Sequence, residues 1–176
     1  MFRLKKGKLI WITGLSGAGK TTIGREVYSL LKKKHKNSVF VDGDIFREIM
    51  GNEFSHSKKD RLKNARIISR LCTNLTNQNI HVVCCTMSLF KEIHQMNREN
   101  TKNYFEIYIH VEFEKLIQRD SKGIYSSEKK GEIKNVVGLD IMYDKPLTPS
   151  LVIDNSDQEV SINNKALLIL KTANLL

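Results

Sequence analysis

Eight residues near the N-terminus, Gly14-Leu15-Ser16-Gly17-Ala18-Gly19-Lys20-Thr21, constrain this chain more than any other stretch. The spacing is G-x-x-x-x-G-K-[ST], and its surroundings match what that spacing needs. Before it runs Lys8 to Thr13 (KLIWIT), a short apolar segment that reads as a buried strand. After it, Ile23, Val27, Leu30 and Leu31 recur at helical spacing from Lys20 to Lys34, with three lysines at the C-terminal end where the helix dipole favours them. Glycines let such a loop curl until consecutive N–H groups face one anion, and the helix adds its positive N-terminal end. Lys20 supplies a mobile charge for the outer phosphates and Thr21 a hydroxyl for Mg²⁺, while Gly14 to Thr22 wrap a nucleoside triphosphate such as ATP. The loop by itself fits a kinase, a GTPase or an ATPase.

Strand and helix patterns then alternate. Val39 to Val41 reads as a second strand, and Lys58 to Gln78 as a long amphipathic helix. His81 to Thr86 (HVVCCT) and Tyr104 to Val111 are two more strands, with helices expected at Glu92 to Asn100 and Phe113 to Arg119. Leu151 to Ile153 is a fifth strand and Val160 to Asn174 a last helix. Strands alternating with helices predict βαβ units: an α/β fold with a parallel sheet and helices on both faces. At 176 residues the chain reads as one domain. Asp120 to Thr148 lacks apolar periodicity and is rich in Lys, Glu, Gly and Ser, so it is expected to be a mobile functional lid.

Composition bounds the partners. Lysine and arginine number 29 against 19 acidic residues, a net charge of +10. Nucleic acid, small anionic substrates or a solvated lysine-rich surface would each fit that balance. No aromatic-interleaved basic motif or zinc pattern accompanies it, so a nucleic-acid partner is not expected. No apolar run approaches the ~18 residues of a membrane helix, and no secretory signal is visible, so no membrane is expected. Three cysteines, two of them adjacent, are no disulfide framework and fit a reducing cytoplasm.

Further polar residues gather around the loop. Asp42-Gly43-Asp44 closes the second strand, where ligands of open α/β sheets lie. Asp44 there could orient or deprotonate an acceptor hydroxyl and help hold Mg²⁺. Arg47 on the following turn could bind an acceptor phosphate. The bland alternative is a turn with two capping aspartates. Arg61, Arg66, Lys91, Arg119, Lys122 and Lys134 could neutralise a migrating phosphoryl group, or form only a solvated basic face.

Taken together, the motifs resemble the adenylyl-sulfate kinase (APS kinase) family of P-loop kinases. The resemblance runs from about Gly7 to Asp154 and rests on GLSGAGKTT (Gly14 to Thr22), DGD-x-x-R (Asp42 to Arg47) and S-x-x-DR-x-x-N (Ser57 to Asn64). Ser88 with Phe90, RD-x-KG-x-Y (Arg119 to Tyr125), GEIK (Gly131 to Lys134) and G-x-D-x-x-Y (Gly138 to Tyr143) complete it. It implies that ATP and Mg²⁺ are used, with Lys20 and Asp44 catalytic and Thr21 and Asp44 at the metal. It implies an acceptor site of Arg47, Arg61, Asn64, Met87, Ser88, Lys122, Ile133 and Lys134, with Ser88 a phosphoserine in some members, and a small nucleotide as partner. Many relatives form homodimers.

Two departures bear on the acceptor. Where the family sandwiches adenine between two phenylalanines, this chain has His56 and Val136, and Phe54 lies two residues early. Ile45 also replaces the family's Asn after DGD, and Leu89-Phe90-Lys91 replaces Pro-aromatic-Arg. The chain is therefore similar to a branch acting on cytidine diphosphoramidate, a precursor of capsule decoration. The expected activity is phosphorylation of the 3′-hydroxyl of a nucleoside 5′-diphosphate analogue. Adenylyl-sulfate phosphorylation in sulfate assimilation is the alternative, and a non-catalytic nucleotide- or nucleic-acid-binding P-loop protein is the alternative from another class.

Overall fold

The computed structural model describes residues 6–51, 53–120, 122–157 and 160–176. Five strands form one sheet: β1 (Leu9–Thr13), β2 (Ser38–Asp42), β3 (His81–Cys85), β4 (Tyr104–His110) and β5 (Leu151–Asp154). Their order is β2-β3-β1-β4-β5 and every pairing is parallel. The most apolar strand, LIWIT, takes the central place, with every residue buried. Its alternation divides the core, as a period of two requires. Ile10 and Ile12 pack on one face with Ile23, Val27 and Leu31 of α1 (Lys20–Lys34) and Ala166, Ile169 and Leu170 of α7 (Ile162–Thr172). Leu9 and Trp11 pack on the other with Ala65, Ile68 and Cys72 of α3 (Lys58–Asn77) and Ile93 of α4 (Lys91–Asn100).

Two elements depart from the expected outline. The turn at Asp42-Gly43-Asp44 is the start of a helix, α2 (Gly43–Ile49). Asp42 caps it, its carboxylate accepting the Asp44 and Ile45 N–H groups at 2.9 and 3.4 Å. Seven residues give too little periodicity to announce a helix, and the cap supplies what the pattern lacks. After α5 (Phe113–Arg119), the segment 120–148 also contains α6 (Ile124–Lys129) and a bridge between Val137 and Ile141. Tyr125 explains its docking: the ring is buried edge-on to Phe113 and the hydroxyl donates to Ser16 O at 3.0 Å.

With β1 flanked by β3 and β4, the crevice above the carboxyl ends of these strands is where such sheets bind ligands. The loop 14–19 leads from the end of β1 into α1, and Lys122, Ile124, Val136 and Val137 of the segment after α5 line the crevice. Among the described residues no helix is long and apolar enough to cross a membrane.

Candidate active site

A cleft of about 670 Å³ opens at that crevice. Its donor end is built by the loop and the start of α1. Gly19 takes φ +92°, a conformation that side chains disfavour, and a β-carbon there would lie 2.7 Å from Asn155 Nδ2. A β-carbon at Gly14 would meet Ile109 O at 2.5 Å. The loop is thus held by close approach on both sides. Leu15 and Ala18 turn their side chains into the core beneath it, while Ser16, Gly17, Gly19, Lys20, Thr21 and Thr22 line the cleft.

Lys20 Nζ donates to Leu15 O at 2.7 Å, closing the loop on itself. Burial lowers the Lys20 pKa to about 8, with the Asp44 charge opposing the shift. The ammonium is therefore still charged at neutral pH but easily discharged above it. Thr21 Oγ1 donates to Asp42 Oδ2 at 2.8 Å. This joins a hydroxyl and a carboxylate, both hard oxygen donors, at the cleft floor. Among the described residues no group of three or more His, Cys, Asp or Glu side chains is arranged to hold a metal ion by itself. That suits Mg²⁺, which keeps several waters and takes one or two protein oxygens plus substrate phosphates. Asp42, taken from the sequence only as a capping aspartate, is therefore the carboxylate in direct contact with the loop.

Asp44 lies one step further out, on the first turn of α2. Its carboxylate pairs with Lys122 Nζ of the segment after α5. Burial would push the Asp44 carboxyl up, but the hydrogen bond and charge of Lys122, helped by Lys20 and Arg47, hold it below the usual range. It is an ionised acceptor of hydrogen bonds at the junction of donor and acceptor ends.

The acceptor end is lined by His56, Arg61, Met87, Lys122, Val136 and Val137. Arg61 fastens its two walls: Nε donates to His56 O at 2.8 Å and Nη2 to Asn135 O at 2.9 Å. Burial and then the charges of Arg61 and Arg47 push the His56 imidazole down, so it is neutral at pH 7 and presents one N–H donor and one acceptor. Phe54 does not line the cleft. Its ring is buried beneath Lys63 Nζ, 5.3 Å from the centroid, and its carbonyl accepts from Arg47 Nη1 at 2.6 Å.

Other residues expected at the acceptor do not reach the cleft wall. Arg47 spends its guanidinium on the carbonyls of Phe54 and Ser55. Asn64 and Ser88 are buried, and Asn64 Oδ1 and Ser88 Oγ find no hydrogen-bond partner. Ile133 and Lys134 lie in the exposed run 131–135. Of the basic set, Arg61, Arg119 and Lys122 line the cleft. Arg66 pairs instead with Glu92, and Lys91, whose backbone N–H donates to Asp144 Oδ2 at 3.0 Å, is not among the residues lining the cleft. Beyond Asp42, sequence reasoning missed Asn155 and Lys165, which line the donor end. A lysine on the apolar stripe of α7, beside Ala166 and Ile169, was the available signal.

Residues 6–154 match the adenylylsulphate kinase family. The chain is 44% identical to a cytidine diphosphoramidate kinase of Campylobacter jejuni, over 93% of this chain and 94% of that one. It is 36% identical to an adenylyl-sulfate kinase of Halothermothrix orenii, over 90% of this chain and 85% of the other. Among solved structures, the Mycobacterium tuberculosis APS kinase CysC in complex with AMPPNP and APS superposes with a TM-score of 0.87. The identity there is 28%, over 96% of this chain and 98% of that one.

Proposed function

The chain belongs to the adenylylsulphate kinase family, and from that premise we propose that it transfers the γ-phosphoryl group of ATP to the 3′-hydroxyl of a nucleoside 5′-diphosphate analogue, cytidine diphosphoramidate. One observation carries the choice of acceptor. The cleft is lined by His56 and Val136, a neutral imidazole and an aliphatic side chain, while Phe54 is buried and outside the lining. Two aromatic faces for a purine are absent from that wall. Stacking on such faces is worth roughly 1–3 kcal/mol per base, so an adenine would lose much of its hold. A smaller pyrimidine depends less on two stacking faces, and the imidazole can hydrogen-bond to its polar edge.

The reaction is an in-line displacement. The loop N–H groups and Lys20 hold the donor phosphates, and Thr21 and Asp42 offer oxygens to Mg²⁺, with Asp44 close by. The ion, when bound, neutralises charge on the β- and γ-oxygens. Asp44 accepts a hydrogen bond from the acceptor hydroxyl, orients that oxygen toward phosphorus, and takes the hydroxyl proton late, as the new P–O bond forms and the bond to the leaving ADP oxygen breaks. A weakly basic carboxylate suffices because the transition state is loose and little proton transfer is needed early. Lys20, Lys122 and Arg119 offset charge on the migrating group. The 120–148 segment excludes water, which would otherwise compete as acceptor.

The test is ADP release from ATP and Mg²⁺ with each acceptor supplied separately. Turnover of cytidine diphosphoramidate with 3′-phosphorylated product supports the assignment. Stronger turnover of adenylyl sulfate replaces it with the sulfate-assimilation reaction, and no turnover of either removes the kinase reading.

A further inference from the structure

The loop that wraps the phosphates is tied to a part of the chain that neither the motifs nor the mechanism uses. Asn155 follows β5, and its amide Nδ2 donates to Ala18 O at 2.9 Å. The same amide is held from behind: Lys165 Nζ of α7 donates to Asn155 Oδ1 at 2.5 Å. Lys165 is only 4% exposed and lines the donor end of the cleft, in the helix that packs against α1. A lysine this deep loses hydration and has to be compensated. No ion pair to it occurs among the described residues, and its ammonium donates to the amide oxygen of Asn155.

The geometry explains what such an arrangement accomplishes. A loop that binds an anion through its N–H groups must turn its carbonyls away from that anion. Ala18 O belongs to the peptide whose N–H is Gly19's, next to Lys20. Fixing that carbonyl on Asn155 fixes the direction of the Gly19 N–H. An amide alone can swing or flip about its side-chain torsions. An ammonium on its oxygen fixes which end faces the loop, because only the nitrogen end can then donate to Ala18 O. The charge also polarises the amide toward stronger donation.

We propose that Lys165 is a positioning residue for the phosphoryl donor, acting through Asn155 to hold the Ala18–Gly19 peptide in its anion-binding orientation. The inference rests on the reading of the chain as an ATP-dependent kinase, but not on the identity of the acceptor. It assigns the donor site a third support outside the loop motif, supplied by the C-terminal helix.

Titration of the full chain with ATP and Mg²⁺, without acceptor, tests it. Lys165→Met removes the donor to Asn155 and keeps the volume; Lys165→Gln keeps an N–H donor without the charge. Asn155→Ala removes the link itself. Lys165→Met and Asn155→Ala are each expected to weaken ATP binding about tenfold, with Lys165→Gln within about threefold of the parent. The double variant Asn155→Ala/Lys165→Met is expected to be no weaker than either single one, because both act on one path. In turnover, the loss should fall on KM for ATP with kcat nearly kept. Unchanged ATP affinity in Lys165→Met, or fully additive losses in the double variant, would overturn the proposal. If Lys165→Met fails to fold, the soluble Asn155→Ala variant decides: parental ATP affinity there overturns the proposal as well. Absence of ATP binding by the parent chain would instead defeat the kinase reading itself.

Discussion

The two ends of one cleft are built in different ways. At the donor end four polar side chains are held by one another or by the loop: Lys20 on Leu15, Thr21 on Asp42, Asn155 on Ala18 and Lys165 on Asn155. A β-carbon at Gly14 would meet the Ile109 carbonyl and one at Gly19 the Asn155 side-chain amide, so neither position accepts a side chain without a shift. The acceptor end is assembled from a loop before α3 and the segment after α5, joined by Arg61 and the Lys122–Asp44 pair. The contrast teaches where such a fold can be re-specified. A phosphate cradle depends on backbone direction, so any change disturbs its purpose. A base pocket depends on a few side chains, and His56 and Val136 can differ from phenylalanine without moving the sheet.

The largest effect should follow from breaking the donor end. Lys20→Ala is expected to lower turnover by about 10³-fold and to weaken ATP binding as well, since it removes a charge from both ground and transition states. Asp44→Ala, at the boundary, should lower kcat by at least ~10²-fold while ATP affinity stays near that of the parent. Equal losses of binding and turnover in that variant would place Asp44 with the donor and erase the boundary.

Changes to the acceptor end should redistribute activity rather than abolish it. The double variant His56→Phe/Val136→Phe is expected to shift the kcat/KM ratio toward the adenine substrate by ~5- to 150-fold, the equivalent of roughly 1–3 kcal/mol of stacking. A ratio that does not move would show that these positions do not read the base.

A subtler effect concerns Lys20. Its pKa of about 8 in the free protein means that ATP, which favours the charged ammonium, must raise it. Binding near pH 8 to 9 should therefore take up a proton, and ATP affinity should fall about tenfold from pH 7 to pH 9. Calorimetry in two buffers of different ionisation enthalpy measures this uptake, and Lys20→Arg should remove the pH dependence. The seam between the ends adds a small effect on stability: beyond the activity lost with its oxygen for Mg²⁺, Asp42→Ala removes the cap of α2 and should cost about 1 kcal/mol in denaturant unfolding.

Legibility in the sequence followed the same division. The loop motif, the LIWIT strand and α1 were visible because buried strands and amphipathic helices leave a periodic record. α2 and α6 were not, because seven and six residues held by caps and one buried tyrosine leave almost none. His56 and Val136 were found only as departures from a resemblance, and the structure places both on the cleft wall. Asn64 and Ser88, carried over in the same way, are buried behind it, because a motif records which residues are kept and not the direction in which they point. Asp42 was read as a cap, and it is one, but its second oxygen holds Thr21, a contact spanning 21 residues that spacing cannot reveal. Lys165 and Asn155 meet only because α7 packs back on α1.

One competition experiment tests the central claim most directly. Equimolar cytidine diphosphoramidate and adenylyl sulfate, with limiting ATP and Mg²⁺, would be offered to the parent chain and both 3′-phosphorylated products quantified. An acceptor end re-specified at His56 and Val136 predicts a product pool dominated by the cytidine compound. A pool dominated by 3′-phosphoadenylyl sulfate would contradict the account, leaving adenine bound without the aromatic faces on which the argument depends.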